Sequence, residues 1–164
     1  MKTSIAGLFY RDQALNEALA KADISESFEQ YFDILNRYYA DDVEVTSAER
    51  TEPITGRNNV MSLISKVIVP LHVFAEVGGL AVALRYKTIV ADKKDEYCAE
   101  WTLELTGALG RQVVVNWSSI RRWNDSQVIF EWHSEHRRDG EPLTFADLDL
   151  GGALREALAR ARPS

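Results

Sequence analysis

Residues 80–90, LAVALRYKTIV, 96–106, EYCAEWTLELT, and 112–123, QVVVNWSSIRRW, decide the fold, because apolar and polar residues alternate through all three. A period of two is that of a half-buried strand. An even loop from Ala91 to Glu96 sets Tyr86 against Trp101, Leu84 against Leu103 and Val82 against Leu105, with Lys87 meeting Glu100 on the other face. A three-residue hairpin at Ala108-Leu109-Gly110, with glycine in the left-handed position, sets Leu105 against Val113, Leu103 against Val115 and Trp101 against Trp117. One face is dry and the other charged, and a slip of one residue would turn these large side chains into water.

From Leu71 onward the period is two, and Leu71 to Val77 is read as the first of four long strands. A two-residue Gly78-Gly79 turn would oppose Val77 to Leu80, Ala75 to Val82, Val73 to Leu84 and Leu71 to Tyr86. Before that point the period is helical. Ile5, Leu8, Leu15 and Leu19 predict a first helix within 4–22, capped by Ser4. A second begins near Ser25 or Ser27, carries Phe28, Tyr31, Phe32, Leu35, Tyr38 and Tyr39 on an aromatic face, and ends at Ala40-Asp41-Asp42. Val43 to Thr46 reads as a short strand, and a third helix, roughly Asn58 to Ile68, stops at Pro70. Thr144 and the Gly151-Gly152 break punctuate a tail in which Ala153, Leu154, Leu158 and Ala161 mark a last helix within 144–161. Helices followed by a meander make an α+β fold with helices on one face of an antiparallel sheet.

The dry face changes character toward the end of the third quoted strand, where Ser119 and Arg121 share the parity of Trp117. Two registers are open for the last strand. A three-residue turn puts Ile129, Glu131, His133 and Glu135 inside, opposing Arg121 to Glu131 and Ser119 to His133. A two- or four-residue turn puts Val128, Phe130, Trp132 and Ser134 inside, and hydrophobicity alone favours it.

A chain of 164 residues can bury a core without disulfides or metals, so one domain over 1–164 is expected. Its formal charge of −6 and lack of a basic stripe argue against nucleic acid. The start, Met1 to Gly7, has no apolar core or cleavage site, and no apolar stretch approaches the ~18 residues of a spanning helix, so no membrane partner is expected and the chain reads as cytoplasmic. Cys98 reads as a small apolar strand residue. No phosphate-cradling loop, nucleophile elbow or metal-ligand cluster is recognisable, and no cofactor is implied.

Tyr39-Ala40-Asp41-Asp42-Val43-Glu44-Val45, followed by Pro53-Ile54-Thr55-Gly56-Arg57 opening a helix, resembles the nuclear transport factor 2-like superfamily, in particular its SnoaL-like and ketosteroid isomerase-like branches. The resemblance continues through Asp125-Ser126-Gln127-Val128-Ile129-Phe130-Glu131-Trp132-His133 and covers about Phe28 to Arg137, within a core of 25–138. It implies a cystatin-like, cone-shaped α+β barrel, frequent homodimers, and a pocket between the concave sheet face and the helices; function varies widely on such a fold. Three departures bear on mechanism. Ser47 stands where ketosteroid isomerases carry an aspartate base, and Ser119 where they hold a protonated aspartate in the oxyanion hole. Aligning on Val128 puts His133 where SnoaL-like cyclases and limonene epoxide hydrolases have an acidic residue.

On that alignment His133, Glu131, Arg121 and Ser119 form a polar cluster at the mouth of an apolar cavity walled by Trp101, Trp117 and Tyr86. Tyr31 and Tyr39, on the second helix, direct hydroxyls into the same space. Histidine titrates near neutrality, a carboxylate beside it orients its ring, and Arg121 holds that carboxylate ionised or binds an oxyanion. Glu131 and His133 are thus the candidate catalytic residues, with Ser119, Arg121, Trp101, Trp117, Tyr86, Tyr31 and Tyr39 contacting substrate. Asp41 and Asp42 read as solvated turn residues, and His72 and His136 as solvated or structural. Two functions compete. One is a cofactor-independent enzyme acting by proton abstraction or water activation on a small hydrophobic, cyclic or carbonyl-bearing molecule. The other is a non-catalytic ligand-binding or dimeric scaffold module, with Glu131 and His133 on the outer face.

Overall fold

The computed structural model describes residues 4–91, 93–149, 152, 159 and 160. Helix α1 spans Ile5–Lys21, with the Ser4 hydroxyl accepting the Gly7 amide at 3.1 Å. Helix α2, Glu29–Tyr38, starts where the Ser27 hydroxyl accepts the Glu29 amide at 3.1 Å. The chain then passes directly into β1, Tyr39–Ser47. Tyr39 therefore lies on a strand and not on the second helix as the aromatic spacing suggests. Its backbone pairs with Val128, a partner no helical residue could take.

After β2, Ile54–Thr55, comes α3, Arg57–Gly78, with Pro70 inside it. The expected stop at Pro70, the strand from Leu71 and the Gly78-Gly79 hairpin are all overturned. Proline removes the donor to the carbonyl four residues back, but Lys66, Val67 and Pro70 are exposed, so water can reach that carbonyl. Gly79, at φ 69°, is the left-handed helix cap, its N–H donating to Phe74 O, so the glycine pair ends a helix where the sequence suggests a β-turn. The run Leu71-His72-Val73-Phe74-Ala75 is apolar enough to satisfy either period. Unbroken, α3 is also long and apolar enough to cross a membrane by length and composition, which contradicts the expectation that no stretch approaches that length. In the fold it packs on α2, β1, β2 and β3.

The remaining strands are β3 (Ala81–Ile89), β4 (Glu96–Thr106), β5 (Gln112–Trp123), β6 (Val128–His133) and β7 (Arg137–Asp139). The sheet runs β2-β1-β6-β5-β4-β3, with β7 on β5. It is curved and unclosed, and mixed because β1 runs parallel to β6. Every expected pair in β3–β4–β5 is present, including Tyr86 with Trp101 and Trp101 with Trp117. Gly110, at φ 91°, takes the positive-φ position of the three-residue hairpin.

Both registers read for the last strand prove partly right. The β5–β6 turn has four residues, closed by the Asn124 N–H on Gln127 O and by the Asn124 side chain accepting the Ser126 and Gln127 amides at 2.8 and 2.7 Å. Trp123 pairs with Val128, so Val128 is inside and fully buried. A bulge then inserts Ile129, which is exposed, and the pairing resumes as Arg122 with Phe130, Arg121 with Glu131 and Ser119 with His133. The bulge lets one strand bury an aliphatic anchor and still turn Glu131 and His133 inward.

Leu15, Leu35, Tyr39, Val43, Val60, Tyr97, Trp123 and Val128 form the core. In the tail, Thr144 caps a single 3-10 turn, Phe145–Asp147, through a reciprocal capping box. The rest of the helix expected within 144–161 lies largely outside the described residues.

Candidate functional site

Glu131 lies on the concave face of β6 and is buried. Three donors converge on it: Arg121 Nε at 2.8 Å, the Tyr39 hydroxyl, and His133 Nε2. Arg121, 2% exposed, extends the network to α1. Its Nη1 donates to Asn16 Oδ1 at 2.5 Å and lies 3.5 Å from Asp12 Oδ1. Asp12 also accepts Trp123 Nε1 at 2.9 Å. Ser119, behind Arg121 on the same face of β5, accepts Trp101 Nε1 at 2.9 Å, and the Arg121 guanidinium lies 5.7 Å from the Trp101 ring centre. His133, a quarter exposed, is the one member of this chain that reaches solvent appreciably.

The electrostatics follow from that packing. Burial by itself raises the Glu131 pKa, but the charges of Arg121 and His133 and the bonds from His133 and Tyr39 outweigh it and hold the carboxyl well below the usual range. Burial and the Glu131 charge push the Tyr39 phenol well up, so it stays a donor. Burial opposes the Arg121 charge, and Tyr39, Glu131 and Asp12 overcome that and raise its pKa. Asp12 is raised, first by burial, against the pull of Arg121. Because Glu131 is ionised and can only accept, the His133 nitrogen that faces it, Nε2, carries a proton. Nδ1 is the ring nitrogen left uncommitted to Glu131, as when a carboxylate orients a histidine in a catalytic triad.

An aromatic wall continues from this cluster. Trp101 and Trp117 stack with ring centres 6.2 Å apart, and Tyr86 lies 5.6 Å from Trp101. The Tyr86 hydroxyl donates to Glu17 Oε2 at 2.9 Å, tying β3 to α1. Beyond the tryptophans, Leu84, Leu103, Leu105 and Val115 share the concave parity and are only half-buried.

The structure thus brings together His133, Glu131, Arg121, Ser119, Trp101, Trp117, Tyr86 and Tyr39. It does not bring Tyr31 there: that ring is buried and its hydroxyl donates to Ala22 O, stapling α2 to the end of α1. His136, expected without a partner, sits 5.0 Å from Trp117 and 6.1 Å from His133, with Glu49 bound to its backbone amide and near its ring. His72 is structural, bonded to Ile24 O and beside Glu76. Asp41 pairs with Arg57 at 2.6 Å. Ser47, where the resemblance puts an isomerase base, pairs with His133 across β1 and β6.

Asp12 and Asn16 are the members that the sequence reading missed. The signal was available: positions 8, 12, 15, 16 and 19 share one helical face, so a carboxylate and an amide interrupt the apolar stripe of α1. A polar residue on the buried stripe of a helix needs a partner inside.

No family model and no curated protein matches the chain. Solved structures do. A Jannaschia sp. CCS1 protein provisionally named a SnoaL-like polyketide cyclase is 13% identical over 99% of each chain, with a TM-score of 0.54. An NTF2-like protein of unknown function from Cytophaga hutchinsonii is 12% identical, over 78% of this chain and 98% of that one, with a TM-score of 0.53. An Agrobacterium tumefaciens protein provisionally named an isomerase of the SnoaL-like family is 12% identical, over 81% and 99%, with a TM-score of 0.52. The chain has the NTF2-like α+β fold.

Proposed function

We propose that the protein binds a small hydrophobic, cyclic, carbonyl-bearing molecule against Trp101 and Trp117 and moves a proton on it without a cofactor, with His133 as the base. One observation carries the reading: Glu131, ionised and held by Arg121 and Tyr39, grips His133 Nε2 beside an aromatic wall. The carboxylate fixes the ring and stabilises the imidazolium formed when Nδ1 takes a proton. Arg121, committed to Glu131, Asn16 and Asp12, acts through Glu131 and not on the substrate. This revises the substrate-binding role expected for it. Ser119 is likewise committed to Trp101 and sets the wall. The half-buried residues Leu84, Leu103 and Val115 supply apolar surface for the body of the ligand.

The names of the Jannaschia and Agrobacterium proteins, a cyclase and an isomerase, fit proton-transfer chemistry of this kind. Isomerisation, aldol-type cyclisation and β-elimination of water begin with such a step on the substrate, whereas hydrolysis would have His133 take its proton from an attacking water. The test is exchange of the α-protons of 1-indanone in D₂O, followed by NMR. Wild-type protein is expected to accelerate exchange about 10²-fold or more over buffer, and His133→Ala to return it to background with an unchanged fold. Exchange at the wild-type rate in His133→Ala would refute the assignment. Quenching of tryptophan fluorescence by 1-indanone in both proteins, with no exchange in either, would leave a binding module in place of an enzyme.

A further inference from the structure

A base alone does not complete the proposed proton transfer. As His133 Nδ1 takes the proton, the C–H electron pair forms a C–C double bond and the carbonyl π pair moves onto oxygen, where charge collects unless a donor meets it. The donors of the polar cluster are engaged: Arg121 with Glu131 and Asn16, Tyr39 with Glu131, Trp101 with Ser119 and Tyr86 with Glu17. Ser47, on β1, stands across His133 from β5 and so away from Trp117.

His136 is placed differently. The Ser134 N–H bonds Ser118 O, and pairing with β5 resumes at Arg137 opposite Asn116, so Glu135 and His136 together stand against the single residue Trp117. A bulge of this kind re-aims a side chain. It brings the imidazole 5.0 Å from the Trp117 ring centre and 6.1 Å from that of His133. Glu49 anchors the bulge, accepting the His136 backbone N–H at 2.8 Å, and its other oxygen lies 3.7 Å from His136 Nδ1. Nε2 is the nitrogen left for a guest. Two histidines, each with a carboxylate on one ring nitrogen, thus face one another at the edge of the aromatic wall. The gap between their rings suits a ketone whose α-carbon meets one ring and whose oxygen, two bonds away, meets the other.

Resting on the proposed function, we infer that His136 is a second catalytic residue, its Nε2–H donating to the carbonyl oxygen of the substrate as His133 Nδ1 takes the proton from the adjacent carbon. Protons balance, since one enters His133 as one is given or shared by His136, and the ketone becomes its enol. Burial, and then the His133 charge, hold the His136 pKa below its ordinary value against the pull of Glu49, so the two rings disfavour being charged together. The step keeps a single positive charge on the pair, moving it from the outer ring to the inner one.

The test pairs binding with exchange. His136→Phe keeps a ring beside Trp117 and removes the donor; His136→Gln removes the ring and keeps an N–H. By NMR titration at the tryptophan indoles, wild-type protein is expected to prefer 1-indanone over indane, which lacks the oxygen, by about threefold, and His136→Phe to lose that preference. Exchange of the 1-indanone α-protons should slow about tenfold in His136→Phe, less than the 10²–10³ of a fully enclosed donor because this ring is partly exposed, and His136→Gln should recover part of the loss. A wild-type rate or an unchanged preference in His136→Phe would overturn the assignment, as would a preference lost in Ser47→Ala and kept in His136→Phe. Absence of exchange in the wild type would remove the catalysis proposed above; the contact of His136 with the oxygen is judged apart from it, by the indane comparison, and falls if the preference does not depend on His136.

Discussion

The two ends of the concave face are built on opposite plans. At the β6 end, Asp12, Asn16, Tyr39, Ser119, Arg121 and Glu131 are all buried and every one has at least one named partner. At the other end, Leu84, Leu103, Leu105 and Val115 are half-covered and α3 leaves Val67, Val73 and Val77 exposed. The polar end is over-determined, so its geometry is fixed by the fold itself, which the proposed base would need. The apolar end is under-satisfied, and on the proposed function a ligand would complete its burial, so that the rigid part of the site and the part left open would be separate.

The largest expected effect comes from breaking the polar end at its centre. Arg121→Met leaves Glu131 and Asp12 as buried carboxylates without their cation, and removing one partner of a buried pair costs roughly 3–5 kcal/mol. Urea unfolding should show that loss, whereas Leu103→Ala, at the half-buried end, should cost less than about 2 kcal/mol because little cavity is created. Equal losses would mean that the two ends are packed alike.

The polar end should also carry the acid response. The folded Glu131 pKa is depressed, so its contribution is complete above the unfolded value of 4.5 and is lost as pH falls through the folded value. Asp12 has the opposite sign. Its folded pKa is raised above 3.8, so folding gains as pH descends toward 3.8 from above, which offsets part of the Glu131 loss. Stability measured by urea midpoint should therefore decline below pH 4.5 in the wild type. Glu131→Gln should flatten that decline and Asp12→Asn should steepen it. A Glu131→Gln profile parallel to wild type between pH 4.5 and 3 would remove Glu131 from the acid response.

The contrast between the ends also explains what was legible in the sequence. The β3–β5 registers followed from alternation and loop length, because each strand has one buried face and no competing pattern. The α3 error arose where the pattern carries no such asymmetry: Leu71 to Val77 is apolar on nearly every side, so strand and helix fit equally and Pro70 tipped the reading wrongly. The bulge at Ile129 was beyond reach, since neither simple register predicts a strand that changes parity. Asp12 and Asn16 were legible in principle, as polar breaks in an apolar stripe, but their partner Arg121 lies more than a hundred residues away and only the fold joins them.

The boundary between the ends falls between two stacked tryptophans, and that is where the smallest effect sharpens the comparison. Trp101 is buried and donates its indole N–H to Ser119, which is itself buried. Trp117 is half-buried, stacked on Trp101 and flanked by His136. Trp101→Phe deletes the donor, leaves the Ser119 hydroxyl without it, and removes ring volume from a closed site, so a loss of about 1–2 kcal/mol is expected. Trp117→Phe deletes ring area that water already reaches in part, and less than about 1 kcal/mol should be lost. For a chain of this size the difference corresponds to a few degrees in Tm, within reach of calorimetry. If the polar end stops at Trp101, 1-indanone affinity should respond in the reverse order, falling more for Trp117→Phe than for Trp101→Phe. A parallel order in stability and affinity would place the boundary elsewhere and make both tryptophans part of the packed core.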